Sequence, residues 1–139
     1  MKQKVYLAGG MTSEWRDKVK QLTNVEHFDP KLKPDKHWSE YGTWDVHYVK
    51  QCDICFAYME KTNPSGYGMA AEMGYAKALN KTVVFVLEPG HEKERYFHFL
   101  KQFADVVYDN LTEGIEYLKT FWAMTNSEQA IREFAEKWG

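Results

Sequence analysis

The chain has 139 residues, enough for one ordinary domain and too few for a second core of comparable size. Its 44% hydrophobic and 16% aromatic residues exclude general disorder, and a net charge of −2 with the basic residues spread along the chain argues against a nucleic-acid polymer as partner. The N-terminus lacks the apolar core of a signal peptide, and no apolar run approaches the roughly 18 residues that span a bilayer, so a soluble, cytoplasmic protein is expected.

Short apolar runs alternate with helix-period segments, the pattern of a parallel sheet covered by helices. Lys4 to Ala8 reads as the first strand, closed by Gly9-Gly10. Thr12 or Ser13 can cap a helix carrying Trp15, Val19 and Leu22 on one face. Val25 to Phe28 is a second strand, ended by Asp29-Pro30, and residues 31–42 read as a loop. A helix over Thr43–Gln51 leads into a third strand, Asp53–Met59, and a loop with the turn signal Asn63-Pro64-Ser65-Gly66. Gly68–Leu79 is helical, with Met69, Met73 and Ala76 on one face, and Thr82–Leu87 is apolar enough for a strand covered on both sides. Glu92–Phe103 reads as one helix, Asp105–Tyr108 as a fifth strand, and Thr112–Ala123 as a helix. Ser127 caps a last helix with Ile131, Phe134, Ala135 and Trp138 on one stripe. One domain over 1–139 is expected, a flavodoxin-like or Rossmann-like sandwich with a five-stranded parallel sheet. In such sheets the ligand lies beyond the carboxyl ends of the strands, near the switch in strand order. That location brings together the loops at Ala8–Met11 and Glu60–Glu72.

The residues on those loops decide which chemistry is open. Gly66-x-Gly68-x-x-Ala71 resembles a dinucleotide fingerprint only superficially, because it follows the third strand after a long loop and not the first. It does mark a helix N-terminus open to a ligand. Cys52 and Cys55 enter a buried strand and read as reduced core thiols. The five histidines lack metal-ligand spacing, so neither metal nor cofactor is expected. Glu72 stands early in its helix, where the dipole alone would favour a carboxylate, but Met69, Ala70, Ala71 and Met73 surround it with apolar side chains.

Four segments carry a resemblance: Val5-Tyr6-Leu7-Ala8-Gly9-Gly10-Met11, Thr43-Trp44-Asp45, Cys52-Asp53-Ile54, and Gly66 through Lys81. Together, from the N-terminus to about Leu87, they resemble the nucleoside 2-deoxyribosyltransferases and the related deoxynucleotide N-glycosidases. The resemblance implies that Glu72 is the nucleophile attacking the anomeric carbon, that Tyr6 orients it, and that Asp45 handles the nucleobase edge and its proton. Asp53 matches a structural aspartate. Gly9, Gly10, Ser65, Gly66, Tyr67 and Gly68 form the expected substrate-facing set. Transferases of this kind often carry an aspartate six positions before the nucleophile, where this chain has Gly66. Ser65 is similar to a serine of the monophosphate-cleaving relatives.

The leading expectation is a nucleoside 2-deoxyribosyltransferase working through a covalent glycosyl-Glu72 intermediate, with a nucleoside or nucleotide substrate and a nucleobase acceptor. The closest alternative is a deoxynucleoside monophosphate N-glycosidase using the same glutamate and water. A non-catalytic nucleotide-binding protein is the third, and a flavodoxin-like redox protein ranks last, because Ala8-Gly9-Gly10-Met11 is too short to hold a flavin phosphate. The family usually completes its site with a neighbouring subunit, so a homo-oligomer is expected, with Tyr117, Phe121, Trp122, Phe134 and Trp138 available for an interface.

Overall fold

The computed structural model describes residues 3–32 and 37–126. Five parallel strands form one sheet in the order β2-β1-β3-β4-β5: β1 Lys4–Gly9, β2 Glu26–Phe28, β3 Ile54–Met59, β4 Thr82–Leu87 and β5 Val106–Tyr108. This is the flavodoxin-like order, with the direction of winding reversing between β1 and β3. The sequence expectation for the fold holds.

Strand periodicity sorts the core into two halves. Val5, Leu7, Ile54, Phe56, Tyr58, Val84 and Val86 face α1 (Trp15–Leu22) and α5 (Leu111–Asn126). Tyr6, Ala8, Cys55, Ala57, Met59, Val83 and Phe85 face the other layer, α2 (Trp38–Gln51) and α3 (Tyr67–Ala78). Because strands are covered on both faces, β3 and β4 are apolar almost throughout. The same parity puts Tyr6 on the α3 side of the sheet. Asp53 is structural, as expected: its Oδ2 accepts from the Lys4 N–H at 2.9 Å and its own N–H donates to the Lys4 carbonyl, which sets the register of β1 and β3.

Several boundaries differ from the sequence reading. Neither Thr12 nor Ser13 caps α1; Glu14 holds that position without a side-chain bond, and the Ser13 hydroxyl donates to Glu60 instead. Helix α2 begins at Trp38, inside the expected loop, because the His37 ring accepts from the Ser39 N–H and supplies an unusual cap. Residues 92–103 do not make one helix. A short α4, Glu94–Phe97, gives way to a 3-10 helix over His98–Phe103. Phe97 and Leu100 are buried and Phe103 packs on the same core, a three-residue spacing that suits the tighter turn. The expected helix after Ser127, with Phe134 and Trp138, lies outside the described residues, as do the side chains of Phe121 and Trp122. Tyr117 packs against its own core beside Tyr108.

Helix α3 is held at both ends by backbone geometry. Gly66 takes a left-handed φ of 85° at its start. At its end Asn80, with φ 60°, and Lys81 donate to the Lys77 and Ala76 carbonyls, a Schellman closure that runs straight into β4. Both cysteines are buried free thiols, and burial raises the Cys52 pKa to about 11. No helix among the described residues is long and apolar enough to cross a membrane.

Candidate functional site

A cavity of about 750 Å³ opens at the carboxyl ends of β1 and β3, within the usual size for a small-molecule site. Its lining includes Gly9, Gly10, Asp45, Ser65, Gly66, Gly68 and Glu72. The loops after the first and third strands therefore meet at the switch in strand order, and they bring most of the sequence-selected residues together.

Glu72 lies in the second turn of α3, partly buried, with its carboxylate at the cavity. Tyr6 is wholly buried on the adjoining face of β1, and its phenol donates to Glu72 Oε2. Burial first, and then the Glu72 charge, raise the Tyr6 pKa far above its ordinary value. The phenol therefore keeps its proton and acts as donor. Asp45, on α2 and partly buried, lines the same cavity, and its charge also acts on Tyr6. The arrangement sets one carboxylate beside a fixed donor and a second carboxylate on another wall. That division is what a nucleophile and a proton-transferring group need.

Two expectations are modified. Tyr67 is 70% exposed and is not among the residues lining the cavity. The left-handed turn at Gly66 starts the helix at Tyr67 and sends its ring outward, where the Lys93 ammonium lies 5.9 Å from the ring centroid. Ser65 does line the cavity, but its N–H already donates to Asn63 Oδ1 at 3.3 Å. Asn63 is itself buried, and its carbonyl accepts from His91 Nε2 at 2.6 Å. His91 Nδ1 in turn accepts from the Lys93 N–H, so this ring pins the cavity loop from the β4 side.

The sequence reading missed Lys31, Tyr41 and Asn63 as cavity residues and Arg16 as a buried cation. Arg16 had a signal: it stands between Trp15 and Val19, three residues before the latter, on the stripe that α1 buries. Lys31 had none, because the loop after β2 carries no period. Gly9 is the tightest of the lining glycines. With φ 151°, a Cβ there would stand 2.5 Å from the Tyr58 carbonyl oxygen, so the β1 loop passes β3 as bare backbone.

A family model described as nucleoside 2-deoxyribosyltransferase like matches residues 2–90. Among solved structures, the chain is similar to a CMP N-glycosidase of Clostridium botulinum, with 18% identity and a TM-score of 0.59, over 84% of this chain and 98% of that one. It is also similar to a 2-deoxyribosyltransferase of Leishmania mexicana, with 20% identity and a TM-score of 0.63, over 83% and 95% respectively. No curated protein matches the chain in sequence. The matched segment carries Tyr6, Asp45 and Glu72, and the chain belongs to the nucleoside 2-deoxyribosyltransferase-like family.

Proposed function

We propose that this protein breaks the N-glycosidic bond of a nucleoside or nucleotide, with Glu72 as nucleophile, and passes the deoxyribosyl group to a second nucleobase. The observation that carries this reading is the Tyr6–Glu72 hydrogen bond at the cavity, a buried donor holding a carboxylate at the mouth of a pocket sized for a nucleoside. Glu72 attacks C1′ and the C1′–N bond breaks. The departing base takes the bonding pair, and Asp45 supplies the proton that makes it a better leaving group. A second base then attacks C1′ from the opposite face, releases the Glu72 carboxylate, and returns a proton to Asp45. Two displacements retain the configuration, the logic of retaining glycosidases.

A hydrolytic reading, with water as acceptor and a nucleoside monophosphate as substrate, has one observation in its favour. Position 66 has no side chain where transferases often carry an aspartate, while Ser65 and Lys31 both line the cavity. Mass spectrometry after incubation with a 2-fluoro-arabino nucleoside tests the common step. A sugar adduct on Glu72 is expected, and an adduct elsewhere would overturn the assignment. Incubating deoxyinosine or a deoxynucleoside monophosphate with and without adenine then separates the two. Exchanged nucleoside marks transfer, and free base alone marks hydrolysis.

A further inference from the structure

Two walls of the cavity are joined by a buried ion pair that takes no part in the chemistry above. Arg16 is 1% exposed. Its Nε donates to the Leu7 carbonyl at 3.1 Å, Nη2 to Gly9 at 3.0 Å, and Nη1 to Gly10 at 2.6 Å. Trp15 Nε1 donates to the same Gly10 carbonyl at 2.9 Å. The same Nε stands 3.3 Å from Asp29 Oδ1, an ion-pair contact. The same Asp29 oxygen accepts the Lys31 N–H at 2.9 Å, and Oδ2 meets the Lys20 ammonium at 2.5 Å.

We propose that Arg16 and Asp29 are positioning residues: a clamp that fixes the Gly9–Gly10 loop against the Pro30–Lys31 wall and so sets the sugar of the substrate against Glu72. This rests on the reading of Glu72 as nucleophile. Gly9, Gly10, Pro30 and Lys31 all line the cavity, and each side of it is anchored to one end of the pair. The Gly9 and Gly10 carbonyls are turned into α1 and are engaged there.

The chemistry of the pair favours placement over plain stability. Burying an ion pair of this kind costs nearly as much in desolvation as it returns, and an apolar pair of similar volume would hold the two segments as well. What an apolar pair would lack is direction. The flat guanidinium meets three carbonyls at fixed angles while its charge faces the Asp29 carboxylate, a task that a lysine ammonium on a flexible stem does not duplicate. The cluster also holds two cations, Arg16 and Lys20, against the one Asp29 carboxylate, and the charge of Arg16 is attracted to Glu72.

The test compares wild type with Arg16→Lys, which keeps the charge and removes the fork. Three quantities are measured: amide exchange at residues 8–12 and 31–32, the rate of fluoro-sugar adduct formation on Glu72 at saturating substrate, and KM. Exchange should rise in both segments and stay unchanged across Val83–Leu87. Adduct formation should slow about 100-fold, the usual cost of an ångström-scale misplacement, with a smaller change in KM. A scaffold role alone would lower the melting temperature and leave the adduct rate of the folded fraction intact, which overturns the proposal. So does faster exchange confined to residues 8–12. Should Arg16→Lys not fold, wild type decides. The amides of residues 8–10 and Lys31 should open as one unit with a common urea dependence, and separate openings refute the clamp. If wild type forms no adduct with any nucleoside or monophosphate, the Glu72 reading fails, and the coupled exchange judges the clamp by itself.

Discussion

The phenol of Tyr6 donates to the carboxylate of Glu72, joining β1 to α3 across 66 residues of sequence. The bond is directional in its chemistry, since burial and the Glu72 charge keep the proton on the phenol. A hydrogen bond to a charged acceptor contributes about 1.5–3 kcal/mol. Tyr6→Phe retains the buried ring and removes the donor alone, so kcat should fall roughly 10- to 100-fold with little change in KM. An unchanged kcat in Tyr6→Phe would mean that the bond does not act on the nucleophile.

Substitutions at Glu72 should separate chemistry from folding. Glu72→Gln leaves an amide oxygen to accept from Tyr6, whereas Glu72→Ala leaves the buried phenol without that acceptor at a cost of about 1–3 kcal/mol. Both should lose turnover and adduct formation. Only the alanine variant should lose stability, read as a lower urea midpoint at unchanged m-value.

Asp45 can be isolated through the leaving group. If it protonates the departing base, Asp45→Asn should lower kcat on ordinary deoxynucleosides by about 10²- to 10⁴-fold. A deoxynucleoside of an N7-methylated purine already carries the positive charge that protonation would supply. Its cleavage should be nearly insensitive to Asp45→Asn. Equal losses on both substrates would assign Asp45 to binding.

The parts of this site that could be read in the sequence were those written in local pattern. Tyr6 and Glu72 each stood in a segment that carries the family resemblance, and that resemblance is what joined them; the alternation of β1 then accounts for Tyr6 lying on the α3 side of the sheet. Lys31 and Tyr41 reach the cavity from a segment of charges and prolines with no period, so only the tertiary structure could bring them there. The start of α2 was hidden for a related reason. His37 caps it in place of the usual Ser, Thr, Asp or Asn, and Gly42-Thr43 inside the helix reads as a boundary. Tyr67 was misplaced by a single residue's conformation, the left-handed φ of Gly66.

The buried thiols make a prediction about alkaline stability. Burial raises the Cys52 pKa from 9.0 to about 11, and it pushes Cys55 upward as well. With the folded value raised, the native state keeps protons that the unfolded chain releases. The contribution is complete below about pH 9 and is lost as pH climbs toward about 11. For Cys52 alone the loss is on the order of 2–3 kcal/mol. Urea midpoints measured from pH 8 to about pH 10.5 should hold near pH 8 and fall above about pH 9, and Cys52→Ala should flatten that slope.

Gly66 makes the sharpest prediction about reaction type. The position corresponds to an aspartate often present in transferases, which suggests that Gly66→Asp would strengthen transfer. The backbone argues otherwise. Gly66 has φ 85°, and a Cβ there would stand 2.8 Å from Met59 Sδ and 3.1 Å from both Met59 Cε and Phe97 Cε1. Any side chain would strain the turn that starts α3 and push against two buried neighbours, at a cost of about 1–3 kcal/mol. The helix carrying Glu72 would shift with it. Gly66→Asp should therefore lower both the melting temperature and the rate of adduct formation on Glu72, without raising the ratio of exchanged nucleoside to free base. A stable Gly66→Asp protein with a higher transfer ratio would show that this loop accepts the transferase geometry after all.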